Sequence, residues 1–210
     1  APEESTRRRG IKFLHEMAQA VREMGNQQIG GIVYSSWPGK LPWGAEKHAY
    51  VERSIASMKE AAKAAEDCGV YFNLEVVNRF EQFIMNTSAE AVDFVKQVGS
   101  PNCRILLDCF HMNIEEDSFR EAIKTAGSHL GHFHLGETNR RAPGRGRIPW
   151  DEIGSVLKEI HYPHALTMEP FLMPGGEVGR DISVFRDLKG SLDLDQEAQR
   201  ACTFIRSKLQ

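Results

Sequence analysis

The chain has 210 residues, 41% hydrophobic and 26% charged, with a formal net charge of −3. That balance excludes a disordered chain and argues against a nucleic-acid coat or a polybasic membrane tether, so neither kind of partner is expected. No run approaches the ~18–20 continuous apolar residues of a membrane span.

The start, Ala1-Pro2-Glu3-Glu4-Ser5, lacks the apolar core of a secretory signal. The four cysteines, Cys68, Cys103, Cys109 and Cys202, form no CxxC pair, and reduced thiols in a cytoplasm are the expectation. Ile11, Leu14, Ala18 and Val21 recur at helical spacing, with Gly25 placed to end that helix. The β-branched run Ile29 to Tyr34, bounded by Ser35-Ser36-Trp37-Pro38-Gly39, predicts a buried strand. Val51, Ile55, Met58, Ala62 and Ala65 mark a second helix closing at Gly69, and a strand follows over Val70 to Val77. Thr87-Ser88-Ala89-Glu90 reads as a capping box opening a helix through Val92, Val95 and Val98. Then come a strand over Cys103 to Cys109, a helix over Glu115 to Ala126 and a strand over Leu130 to Gly136. After a Gly/Arg/Pro loop, a helix opens at Pro149-Trp150 with Asp151 and Glu152 in its first turn. Ala165 to Glu169 is the fifth strand and Asp193 to Lys208 the last long helix. No linker or composition break divides the chain, so residues 1–210 are expected to form a single domain.

Strands alternating with helices long enough for crossovers predict an α/β fold with parallel strands. It is either an open doubly wound sheet or part of a (β/α)8 TIM barrel. No GxGxxG follows the first strand, so nothing points to a dinucleotide.

Glu75, Asp108, His134 and Glu169 fall at or near the C-terminal ends of four consecutive predicted strands, the edge that carries the active site in both architectures. A charge inside an apolar strand costs on the order of several kcal/mol unless it is paired or bound to a metal. Any one of the four taken singly could be a satisfied core group, but four in succession point to one site. Three carboxylates and one imidazole suit Mn²⁺, Co²⁺ or Mg²⁺ better than a structural zinc. Glu81, His111 and Arg140 follow three of these residues by three to six positions, where they could orient a polyhydroxylated substrate. Trp37 and Trp43 lie at the same edge, as pocket wall or as packing. His132, two residues before His134, is expected to be a hydrogen-bonded interior histidine. Gly144-Arg145-Gly146-Arg147 lacks the Lys-Ser/Thr of a P-loop and reads as a turn, and Arg7-Arg8-Arg9 reads as a solvated helix face.

At these residues the chain resembles the ketose 3-epimerases, the D-tagatose/D-psicose (D-allulose) 3-epimerase family of the xylose-isomerase-like barrels. The similar segments are Glu75-Val76-Val77-Asn78-Arg79-Phe80-Glu81, Leu107 to Glu116, Gly131-His132-Phe133-His134-Leu135-Gly136-Glu137, Pro149 to Ile153 and Met168-Glu169-Pro170-Phe171. They occur in family order and spacing over nearly the whole chain. The resemblance implies a metal on Glu75, Asp108, His134 and Glu169, and substrate contacts from Glu81, His111 and Arg140. Cys109 stands where the family usually has Thr. The match begins at the helix before the family's fourth strand, so the first three βα units of a barrel of about 250 residues fall outside it. A piece of a longer protein, a sequence missing its front, and complementation by another chain all fit that start. Dimers or tetramers are expected by resemblance.

The implied chemistry is inversion at C3 of free ketohexoses (D-fructose/D-psicose, D-tagatose/D-sorbose) through a cis-enediolate. Glu75 and Glu169 serve as acid and base, and a divalent metal, Mn²⁺ foremost, acts as Lewis acid. Trp37 is expected beside the sugar. The competing readings are an aldose–ketose isomerase on the same barrel and a non-catalytic metal-binding fragment that needs a partner chain.

Overall fold

The computed structural model describes residues 1–209. Five parallel strands, β1 (Gln28–Gly31), β2 (Tyr71–Val76), β3 (Cys103–Asp108), β4 (Leu130–Leu135) and β5 (Leu166–Met168), lie side by side in chain order. Helices α1 (Glu4–Glu23), α2 (Lys47–Cys68), α3 (Ser88–Val98), α4 (Cys109–Glu115), α5 (Phe119–Ala126), α6 (Trp150–Glu159), α7 (Gly176–Asp181) and α8 (Leu194–Leu209) make up the rest of the regular structure. Sequential parallel strands with crossover helices form an arc of a TIM barrel. Strands β1 and β5 are its two edges.

Alternation along each strand separates two chemistries. Phe72, Leu74 and Val76 of β2, Cys103, Ile105 and Leu107 of β3, and Phe133 and Leu135 of β4 join one apolar core. Ile55, Met58, Ala62 and Ala65 of α2 meet them, as do Phe94 and Val95 of α3 and Ile153 and Val156 of α6. The intervening residues, Asn73 and Glu75, Asp108, and His132 and His134, face the other side of the sheet, because successive side chains point to opposite faces.

The helix ends are built as their sequences suggest. Thr87 caps α3 by accepting the Glu90 backbone N–H at 3.3 Å, and the Glu90 carboxylate reaches back to the Asn86 N–H at 2.6 Å. Gly69 and Gly99 close α2 and α3 at φ 66° and 76°, a left-handed turn that favours glycine. The strands are up to two or three residues shorter than expected, β1 ending at Gly31 and β5 spanning only Leu166–Met168. Two short helices, α4 and α7, were not expected from the sequence. The helix read as Glu115 to Ala126 starts later, at α5, where the Ser118 side chain caps it (Glu121 N–H, 3.3 Å), and α4 precedes it with the Asp108 side chain as its cap (Phe110 N–H, 2.6 Å). His111 therefore stands on a helix.

Candidate active site

Parallel strands end on the same edge, and each contributes one polar side chain there. Glu75 is the penultimate residue of β2, Asp108 ends β3, His134 pairs with Asp108 in the β3–β4 register, and Glu169 follows β5 directly. One donor atom from each of the four lies within 4.8 Å of the others. His134 Nδ1 stands 3.4 Å from Glu75 Oε1, 3.6 Å from Glu169 Oε2 and 3.7 Å from Asp108 Oδ2. None of these contacts is a hydrogen bond, and Nδ1 is buried without a partner. A buried nitrogen left bare and ringed by three carboxylates at nearly equal distance fits a cation that all four would share. These residues can hold a divalent metal ion.

The electrostatics agree. Burial opposes an imidazolium at His134, yet the carboxylates of Asp108, Glu169 and Glu75 outweigh it and push the group up to about 11. Burial likewise works to raise Asp108, but His134, His111 and Arg140 bring it down to about 2. The centre of the site favours positive charge.

Around it lies a polar layer. Arg140 Nη1 donates to Asp108 Oδ2 at 3.2 Å and to Glu169 Oε2 at 3.1 Å, while its guanidinium packs over the rings of Phe110 and Phe171. His111 is almost fully buried, and its Nδ1 accepts the Asn78 backbone N–H at 3.2 Å. Its Nε2 stands 3.3 Å from Arg140 Nη2 and 3.8 Å from Glu75 Oε1. Glu81 accepts from Asn78 Nδ2 at 3.0 Å and from Trp37 Nε1 at 3.2 Å.

These groups open onto a cavity of about 180 Å³. Glu75, Glu81, His111, Arg140 and Glu169 form its polar side, and Ile32, Trp37, Val77, Phe171, Val178 and Ile182 its apolar side. Larger hollows of about 360 and 490 Å³ lie around Trp150 and Tyr162 and contain none of the four clustered residues.

The structure brings all eight expected site residues (Trp37, Glu75, Glu81, Asp108, His111, His134, Arg140 and Glu169) to this one place. Trp43 stands apart, fully exposed. His132 makes no hydrogen bond among the described residues. Its ring packs edge-on to His134 with centroids 5.2 Å apart, and burial and the neighbouring His134 hold its basicity down. The turn at Gly144–Arg147 is a turn, fastened to α8 by Arg145. Sequence reasoning missed Asn78, which orders both His111 and Glu81, and the apolar wall from Val178 and Ile182. The spacing of four between those two on α7 and its end is the one signal that could have found the wall.

Residues 1–201 match the family of xylose isomerase-like TIM barrels, so fold and site define a barrel protein with a divalent-metal centre at its C-terminal strand edge. Over 213 residues the chain is 48% identical to a D-psicose 3-epimerase of Ruminiclostridium cellulolyticum, covering 100% of this chain and 73% of that protein. A D-psicose 3-epimerase of Agrobacterium fabrum is 45% identical over 205 residues, covering 96% of this chain and 71% of that one. The crystal structure of D-psicose 3-epimerase with D-tagatose from Clostridium cellulolyticum H10 superposes with a TM-score of 0.96 at 48% identity, over 100% of this chain and 74% of that chain. The chain belongs to the D-psicose/D-tagatose 3-epimerase family of the xylose isomerase-like barrels.

Proposed function

We propose that the chain is a metal-dependent epimerase that inverts C3 of free ketohexoses, D-psicose/D-fructose and D-tagatose/D-sorbose among them. The observation that carries this reading is the convergence of Glu75, Asp108, His134 and Glu169 within 4.8 Å at the mouth of a half-polar, half-apolar cavity. Glu75, Asp108, His134 and Glu169 would hold the metal, Mn²⁺ by preference with Co²⁺ or Mg²⁺ as substitutes. When bound, the cation supplies Lewis-acid stabilisation of the negative charge that develops on the sugar oxygens next to C3.

The remaining work falls to side chains. Glu75 and Glu169 act from the two sides of C3, one as carboxylate and one as carboxylic acid. The carboxylate takes the C3 proton, the C–H electron pair passes into the enediolate, and the acid returns a proton to the opposite face. The pair ends with its protonation states exchanged, ready for the reverse reaction. Arg140, Glu81 and His111 orient the hydroxyls near the carbonyl. Trp37 and Phe171 cover the carbon side of the sugar and exclude water.

A closed eight-stranded barrel needs three strands beyond the five here, from the same protein or from a complementing chain. The 210 residues form one domain of that barrel, and the active assembly is a dimer or tetramer. Four unpaired cysteines fit a reducing cytoplasm, and no helix among the described residues is long and apolar enough to cross a membrane. Product analysis tests the activity. D-psicose incubated with the protein and Mn²⁺ should yield D-fructose, and EDTA should stop it. An aldose product would contradict C3 chemistry and identify an aldose–ketose isomerase.

A further inference from the structure

Glu137 lies just past β4, is fully buried and has no cationic partner within ion-pair distance among the described residues. Its carboxylate is satisfied by neutral donors alone. Oε1 accepts the Gly144 N–H at 2.7 Å and Trp150 Nε1–H at 2.9 Å, and Oε2 accepts the Ile148 N–H at 3.4 Å. A buried carboxylate is costly, and one kept this way has a task that an apolar residue could not perform. Two of these donors lie on the segment that returns from Arg140 to α6, and the third, Trp150, opens α6. That segment is a long irregular connection (136–149), which needs its own fastening if it is to hold one conformation.

The same residue also touches Arg140 through the backbone, because the Glu137 carbonyl accepts the Arg140 N–H at 2.9 Å. Arg140 has φ 58°, a left-handed conformation that a non-glycine residue keeps only when its surroundings impose it. Its carbonyl is in turn taken by the Phe171 N–H at 2.8 Å. Gly146 passes so near the Glu137 carboxylate that a β-carbon there would overlap it.

We infer that Glu137 is a positioning residue for the epimerase reaction. Its buried carboxylate gathers the Gly144, Ile148 and Trp150 donors, and so holds Arg140 in its strained conformation with the guanidinium between Asp108 and Glu169. It touches neither the sugar nor the metal cluster. The inference rests on the proposed function, since it gives Arg140 the task of orienting the sugar.

Two variants test it. Glu137→Gln keeps the volume but turns one acceptor into a donor facing other donors. Gly146→Ala leaves Glu137 intact and displaces its carboxylate, at a glycine whose backbone lies outside the left-handed region. A loosened Arg140 should raise KM for D-psicose about tenfold with a smaller fall in kcat, while Mn²⁺ affinity measured by calorimetry stays within about twofold of wild type. A merely structural role would lower the active fraction and the Mn²⁺ stoichiometry together and leave KM where it was. An unshifted KM in whichever variants fold overturns the assignment, as does failure of both to fold. The wild-type protein run alongside separates the two readings. Absence of Mn²⁺-dependent exchange at C3 in wild type refutes the proposed function, whereas wild-type exchange with unshifted KM in the variants refutes the role of Glu137 alone.

Discussion

At the scale of single residues, the site works by leaving charges nearly but not fully compensated. Three carboxylates surround His134, and its Nδ1, buried and unbonded, marks where a cation would complete the set. Replacing either proposed acid/base keeps the shape and removes the proton chemistry. Glu75→Gln and Glu169→Gln should each lower kcat by about 10²–10⁴-fold, while sugar binding read by tryptophan fluorescence persists. Near-normal turnover in either variant would remove that residue from its role. Gly136 gives a subtler probe, since a β-carbon there would stand 2.6 Å from Asp108 Oδ1. Gly136→Ala should push Asp108 aside and weaken Mn²⁺ about 10–100-fold by calorimetry, the range seen when the support of a ligand is disturbed.

At the scale of elements, position follows from strand polarity, and this made the cluster legible in the sequence. Glu75, Asp108, His134 and Glu169 stand out because apolar runs flank them and because parallel strands share an end. Glu137 and Asn78 do not stand out, because each acts through backbone groups brought together only by the folded loops. Helix α4 was missed for a related reason. Asp108, read as a site residue, also caps a helix, and one side chain serving two purposes carries one sequence signal. Helix α8 is held to the loop after β4 by Glu197, almost buried and bonded to Arg145 (2.9 and 3.0 Å) and Arg200 (2.8 and 3.0 Å). Arg145, then Arg200, hold the Glu197 carboxyl down from 4.5 to about 2. A depressed carboxylate stabilises the fold above its ordinary range and loses that contribution as pH falls through its folded value. Glu197→Gln should therefore be less stable than wild type at neutral pH. The gap in urea midpoint should close as pH drops from about 4.5 toward 2, and a gap that is independent of pH would contradict the pairing.

For the whole molecule, metal and fold are linked. A cation bound by side chains from four strands ties β2, β3, β4 and the end of β5 together, and the unfolded chain offers no such set. Mn²⁺ at one hundred times its dissociation constant should stabilise the protein by about 2.7 kcal/mol, seen as a rise in Tm that EDTA abolishes. His134→Ala should lose most of that rise. The arc of five strands positions every proposed ligand without help from further strands, which is why the metal centre can be read from this chain alone. The cavity beside it still needs the barrel to close around the sugar. The most direct measurement follows the C3 proton of D-fructose by NMR in D₂O, with the protein and Mn²⁺ and again with EDTA. Loss of the C3 proton signal with Mn²⁺ and its retention with EDTA is the predicted result. Retention of that proton in the presence of protein with Mn²⁺ bound at the four-residue centre would contradict proton abstraction by Glu75 and Glu169.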